Sequence, residues 1–270
     1  MALTRRQRRA AFRGAQYALL LGVVAIAVFT ANWDELHRAF FDLNVAAKQF
    51  PRIVTIAMSN TIVFTAMGFT LGLALGLVLA LMRLSSVGPY RWLSRAYIEF
   101  FRGLPALLVF IAIGFGIPLA FHNVRLDRNL SITLALGVVA SAYMAETIRA
   151  GIQAVPRGQV EAGRSLGMSS AKTTIAIVIP QGFRIMLPPL TNELIMLTKD
   201  SSLAYLLGST VSQQELAQFS RQALLHDQSL TPLVVAGLCY LAITIPLSVL
   251  QLRLEKRFGG GGRTTSGVGA

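Results

Sequence analysis

The chain has 270 residues, enough for one or two domains, yet only 14% of them are charged, against about a quarter in an ordinary globular protein. Hydrophobic residues make up 54% and mean hydropathy is +0.58. That is more apolar surface than one compact core can bury, so the solvent is a bilayer. Lys and Arg number 25 against 12 acidic residues, a net charge of +13 that suggests a nucleic-acid partner until the charges are placed. The single cysteine, Cys239, sits in an apolar run, which excludes a disulfide framework and a thiolate metal site.

A spanning helix needs about 20 mostly apolar residues. Residues 1–16 read as a basic cytoplasmic N-terminus, with a first span at 17–31. Further spans are predicted at 53–82, 100–121, 130–148 and 230–252. The stretch 185–207 is interrupted by Asn192, Glu193, Lys199 and Asp200, but it is long enough to cross if those residues face a bundle interior. Gly68, Gly72 and Gly76 form a small-residue ridge in the second span, a pattern that lets helices approach closely. A basic stretch ahead of an apolar one is also how a signal peptide begins. No good small-residue cleavage pattern follows Phe29, so the first span is expected to be retained. Residues 253–270 are expected to be a cytoplasmic tail, disordered through its run of glycines.

Six spans with both ends inside place seventeen Lys and Arg on the cytoplasmic side and six outside, the asymmetry that sets orientation. The outer loops also carry six acids, Asp34, Glu35, Asp42, Asp127, Glu215 and Asp227, and so have no net charge. The basic excess is therefore a topology signal, and nucleic acid is excluded as a partner. His37, His122 and His226 all fall in outer loops.

The loop 153–183 is long for a structureless connection and is not of low complexity. Gly158 to Met168 reads GQVEAGRSLGM, with Val160, Ala162 or Gly163, and Leu166 spaced as one face of a short helix. Gly167 permits a sharp turn into a second segment, Ser169 to Ile179, which Pro180 is expected to end. Two short helices on the inner membrane face make a plug for a socket on another protein.

Glu161-Ala162-Gly163, then Gly167, then Ile177-Val178-Ile179-Pro180 resembles the cytoplasmic EAA loop of bacterial ABC importer permeases, with Gly163 and Ile179 in place of Ala and Leu. Glu99-Phe100-Phe101-Arg102-Gly103-Leu104-Pro105, Ala142-Tyr143-Met144-Ala145-Glu146 with Arg149 and Gly151, and Lys199-Asp200-Ser201-Ser202-Leu203 are similar to motifs of the polar amino acid branch. The resemblance covers residues 55 to 252 and implies an all-α polytopic fold in the bacterial inner membrane. It divides the chain into an extra first helix, a permease domain at 53–252 and the tail. It also implies two ATPase subunits, a second permease subunit and an external solute-binding protein as partners, with a polar amino acid as substrate, glutamate- or glutamine-like or basic. The chain has no phosphate-binding loop, so no cofactor of its own is expected: ATP is bound by the partner, and the chain is not itself an enzyme.

The resemblance implies that Gly158, Glu161, Ala162, Gly163, Ser165, Leu166, Gly167 and Met168 couple to the ATPase, although Glu161 alone would read as a solvated carboxylate. Glu193 and Asp200 are seven residues apart and share a helix face, with Asn192 and Lys199 beside it. With Ser201 they are the candidate substrate pathway, since ionisable residues inside a membrane are functional candidates. The other reading makes them a structural pairing between spans. Glu99 with Arg102, and Glu146 with Arg149, are spaced to form structural ion pairs. Two rival functions stay open on the residues alone. One is an ion-gradient-driven secondary transporter using Glu193, Lys199 and Asp200 as a relay; the other is a membrane scaffold that binds a partner through 153–183.

Overall fold

The computed structural model describes residues 5–121, 126–208 and 210–258, and among them there is no strand. Helix α1 (Arg5–Thr30) starts within the basic segment and its apolar part, Phe12–Thr30, is long enough to cross a membrane. No described side chain of α1 is buried. The stretch expected to be a plain outer loop instead forms two short helices, α2 (Trp33–Phe40) and α3 (Leu43–Gln49). Asn32 and Asp42 cap them by accepting bonds from backbone N–H groups of the first turn. Residues 253–258 of the predicted tail are helical, because the last helix runs on to Phe258; residues 259–270 lie outside the described residues, as does His122.

The second span is a π turn, Ile53–Met58, continued by α4 (Ser59–Leu84). It packs against the later helix Arg128–Gln153 more extensively than any other two elements pack, and the glycine ridge is the reason. A Cβ at Gly68 would lie 2.6 Å from Leu136 Cβ, at Gly72 2.8 Å from Ala140 Cβ, and at Gly76 3.0 Å from Met144 Cβ. Only hydrogen fits, so the two backbones close on each other.

The third span departs from expectation. Instead of one helix over 100–121, α5 (Gly88–Gly103) ends before Leu104, and α6 (Ala106–Ile111) leaves at a 106° bend. Leu104 is extended (φ −95°, ψ 139°) because the Pro105 ring disfavours a helical residue before it. A π turn at Ala112–Gly116 then leads into α7 (Ile117–Ala120).

Helix α8 (Arg128–Gln153) is central and buried along most of its length. Its Ala, Ser and Gly residues allow approach from several sides at once. After it come α9 (Arg157–Ser165), α10 (Ser170–Thr173), a π turn at Thr174–Val178 and α11 (Ile179–Asp200). Pro180 does not end the second segment. It sits in the first turn of α11, where a missing N–H is tolerated, and the π turn just before it shifts the hydrogen-bond ladder. The fifth span is therefore one continuous helical run from Ser170 to Leu207, longer than a crossing needs. It crosses α8 where Gly151 and Gly182 meet: a Cβ on either would lie 3.1 Å from the other's carbonyl oxygen.

On the outer side, 3-10 turns at Ser201–Leu207 and Val211–Gln213 lead to α12 (Leu216–Asp227), and α13 (Thr231–Phe258) is the last span. Glu215 is not a solvated loop acid: it is 0% exposed. Its carboxylate accepts bonds from Ala217 N (2.6 Å), Gln218 N (2.7 Å) and the Tyr240 hydroxyl (3.1 Å), capping α12. Burial pushes its pKa up to about 7, and these three donors with nearby Arg128 only partly oppose it. Arg128 spans the same cap: it donates to the carbonyls of Gly208, Gln213 (2.7 Å) and Ala204 (3.4 Å) and to Gln218 Oε1 (3.1 Å).

Gly72→Leu is expected to destabilise the fold by about 1–3 kcal/mol through overpacking, seen as a lower unfolding temperature in detergent, whereas Gly22→Leu on α1, which has open space around it, should leave that temperature unchanged. For Glu215 the folded pKa lies above the unfolded value, so the folded state holds the extra proton between about pH 4.5 and 7. Stability from this group is therefore greatest in acid and falls by roughly 3 kcal/mol as pH rises to 7, then levels off. Glu215→Gln should flatten that slope in unfolding measured from pH 5 to 8.

Candidate functional site

Two regions carry the candidate residues, and α8 and α11 connect them. The first is α9. Its C-terminus closes with Met168 N donating to Gly163 O (3.1 Å) and Gly167 N to Arg164 O (3.0 Å), the paired bonds that end a helix on a left-handed residue. Gly167 has φ +81°, a conformation open to glycine, and Arg164 Nη1 braces the turn by donating to Met168 O at 2.9 Å. The inner face of α9 is Val160 and Gly163, the latter buried under Thr173 and Ile177, with a Cβ there 2.8 Å from Ile177 Cδ1. Leu166 does not join this face: it lies beyond the last turn and is 83% exposed. Gly158, Glu161, Ala162, Ser165 and Gly167 are also exposed, and Met168 is half-buried.

The second region is a cavity of about 260 Å³ among α6, α8 and α11, lined by Phe110, Tyr143, Asn192, Glu193, Met196 and Asp200, among others. Glu193 and Asp200 thus share one face toward one space. Lys199 is exposed and outside the lining, and Ser201 is fully buried, donating to Thr198 O at 2.7 Å. The lining is mostly apolar with a few polar groups, the usual make-up of a small-molecule site.

The two predicted ion pairs differ. Arg149 Nε donates to Glu146 Oε2 at 2.9 Å, with a second bond between the same side chains. Glu99 pairs instead with Arg95, one turn earlier, at 2.6 Å. Arg102 is turned the other way and lies over the Tyr143 ring at 5.5 Å from its centroid. The bend at Leu104-Pro105 brings α5 alongside α8 and so makes the aromatic face the nearer partner.

Residues 72–260 match the family described as binding-protein-dependent transport system inner membrane component. The chain belongs to that family. It is similar to a probable glutamine ABC transporter permease protein of Bacillus subtilis (37% identical, covering 74% of this chain and 92% of that one). It is also similar to an L-cystine transport system permease protein of the same species (36%, covering 83% and 90%). Among solved structures, an amino acid ABC transporter with histidines matches with a TM-score of 0.72 at 32% identity, over 80% of this chain and 98% of that one. An inward-facing methionine ABC transporter (TM-score 0.58, 19% identity) shares the fold. The chain is an all-α, multi-pass membrane protein of this family.

Sequence reasoning missed Arg128, which holds the 3-10 turn that follows Asp200, and Glu215, which caps α12. The one available signal was an acid just ahead of an apolar run, Glu215 before Leu216-Ala217, which is an N-cap pattern. Gly167→Val is expected to cost about 1–2 kcal/mol locally, since a β-branched residue is strained at positive φ, and to loosen α9. Proteolysis within 157–169 should speed up while the rest of the chain keeps its resistance.

Proposed function

We propose that this chain is the permease subunit of an ATP-driven importer for a polar amino acid in the bacterial inner membrane. The observation that carries the reading is the continuity of α8 and α11. Their cytoplasmic ends present α9, and the same two helices line the cavity that holds Glu193 and Asp200. One ATPase subunit docks on the exposed face of α9 around Glu161, Ala162 and Ser165, and a second docks on the corresponding loop of the other permease subunit. Their ATP-driven closure shifts α9 together with the helical run that begins at Ser170. A second permease subunit completes the pathway, and an external solute-binding protein delivers the substrate. The chain itself makes and breaks no covalent bond; ATP belongs to the partner.

In the cavity, Glu193 and Asp200 suit the ammonium group of an amino acid, with Asn192 as a neutral hydrogen-bonding neighbour. Arg102 over Tyr143 supplies a cation at the rim for the substrate carboxylate. The names of the relatives, which include glutamine, L-cystine and glutamate/aspartate permeases, support the substrate class. The ion-gradient reading is not favoured, because Lys199 lies outside the cavity and a relay built on it is broken.

Glu161→Lys is expected to release the ATPase when the tagged chain is purified in detergent, while Gln159→Lys one turn-edge away keeps it. Retention of the ATPase by Glu161→Lys, with the normal elution volume, contradicts a docking role for α9.

A further inference from the structure

We propose that the apolar groove on the cytoplasmic half of the bundle binds an anionic phospholipid, one acyl chain lying between α4 and α11 and the headgroup at the membrane surface. The groove has a volume of about 430 Å³ and almost no polar lining. One wall is a stripe of α4 at every fourth residue, Phe69, Leu73, Leu77 and Leu81; the other includes Leu187 and Leu194 of α11. Ile148 and Ile152, at the cytoplasmic end of α8, contribute to the lining. From Phe69 to Leu81 is twelve residues, about 18 Å of helix, close to half of the ~30 Å hydrocarbon thickness. The groove is therefore one leaflet deep and reaches the cytoplasmic surface.

At that surface the lining includes Leu250 of α13, and Arg253 and Arg257 follow it by three and seven residues, on the same side of the helix. Arg184 shares its side of α11 with Leu187 and Thr191, three and seven residues on. All three arginines are surface residues and take part in none of the salt bridges among the described residues. Inside-positive topology explains the sign of these charges. It does not explain their placement on the sides of two helices that also line one apolar groove. Cations gathered between helices on the cytoplasmic side suit an anionic headgroup.

Two other occupants fit the apolar walls less well. Helix α1 is unburied, but its cytoplasmic end carries Arg5, Arg9 and Arg13, which would meet Arg184, Arg253 and Arg257 with like charge. A second copy seated groove to groove would bring its own arginines to the same place. The groove also lies on a different face of α11 from the cavity of Glu193 and Asp200, so a lipid there leaves the substrate path open.

The test is native mass spectrometry of the intact transporter released from nanodiscs of equal phosphatidylglycerol and phosphatidylcholine. The expected result is at least a tenfold preference for retained phosphatidylglycerol. Arg253→Gln with Arg257→Gln, both at an exposed helix end, should reduce that preference to parity, and Leu187→Trp should fill the groove and remove bound lipid of either kind. Equal retention of both lipids by the unaltered protein, or an unchanged preference in the arginine variant, overturns the proposal. So does an oxidative cross-link from Leu77→Cys to Leu21→Cys, which would place α1 in the groove, or from Leu77→Cys to its counterpart in a second copy.

Discussion

The close approach of α4 to α8 is the constraint on which the rest of the molecule depends. Apolar side chains give helices no reason to leave lipid for one another, so association inside a bilayer relies on contact distance and shape. The Gly68, Gly72 and Gly76 ridge supplies that contact along Leu136, Ala140 and Met144. With α8 pinned on one side, its other faces are free to take α11 and the bent α5–α6 pair. The cavity forms where these elements meet. A second glycine contact, Gly151 on Gly182, fixes the α8–α11 crossing just before the chain turns out into α9. Two backbone-to-backbone contacts thus set the distance between the cytoplasmic plug and the polar cavity.

At the outer end the physics is different, because hydrogen bonds replace packing. Arg128 gathers three carbonyls and a side-chain amide from the segment 204–218, and Glu215 caps α12 while receiving the Tyr240 hydroxyl from α13. Backbone carbonyls at the end of the Ser201–Leu207 turn have no helical partner of their own. A guanidinium with five donors can satisfy several at once. The turn being held begins next to Asp200, so the outer cap and the cavity share a rigid neighbour.

Much of this was legible in the chain. The apolar stretches, the glycine ridge, the left-handed turn at Gly167 and the common face of Glu193 and Asp200 all follow from periodicity and residue geometry. The rest was hidden where local rules compete. Pro105 breaks a helix that hydropathy alone would continue, while Pro180, an equally strong signal, is absorbed by a π turn. Glu99 had two basic neighbours at helical spacing, Arg95 and Arg102, and only the direction of α5 against Tyr143 decides between them. Leu166 looked like part of an apolar face until the helix ended one residue before it. Glu215 read as an outer-loop acid and Arg128 was not singled out, because nothing in their neighbourhood announces that a long-range fold buries the one and clasps the other.

The central claim is that α8 and α11 carry motion from an ATPase on α9 to the cavity of Glu193 and Asp200. It is tested most directly by uptake of a labelled amino acid into proteoliposomes holding this chain with its partner subunits, ATP inside and the solute-binding protein outside. Uptake should require both ATP and the binding protein and should survive an uncoupler. Uptake by this chain without any ATPase, collapsing when the ion gradient is dissipated, would contradict the account.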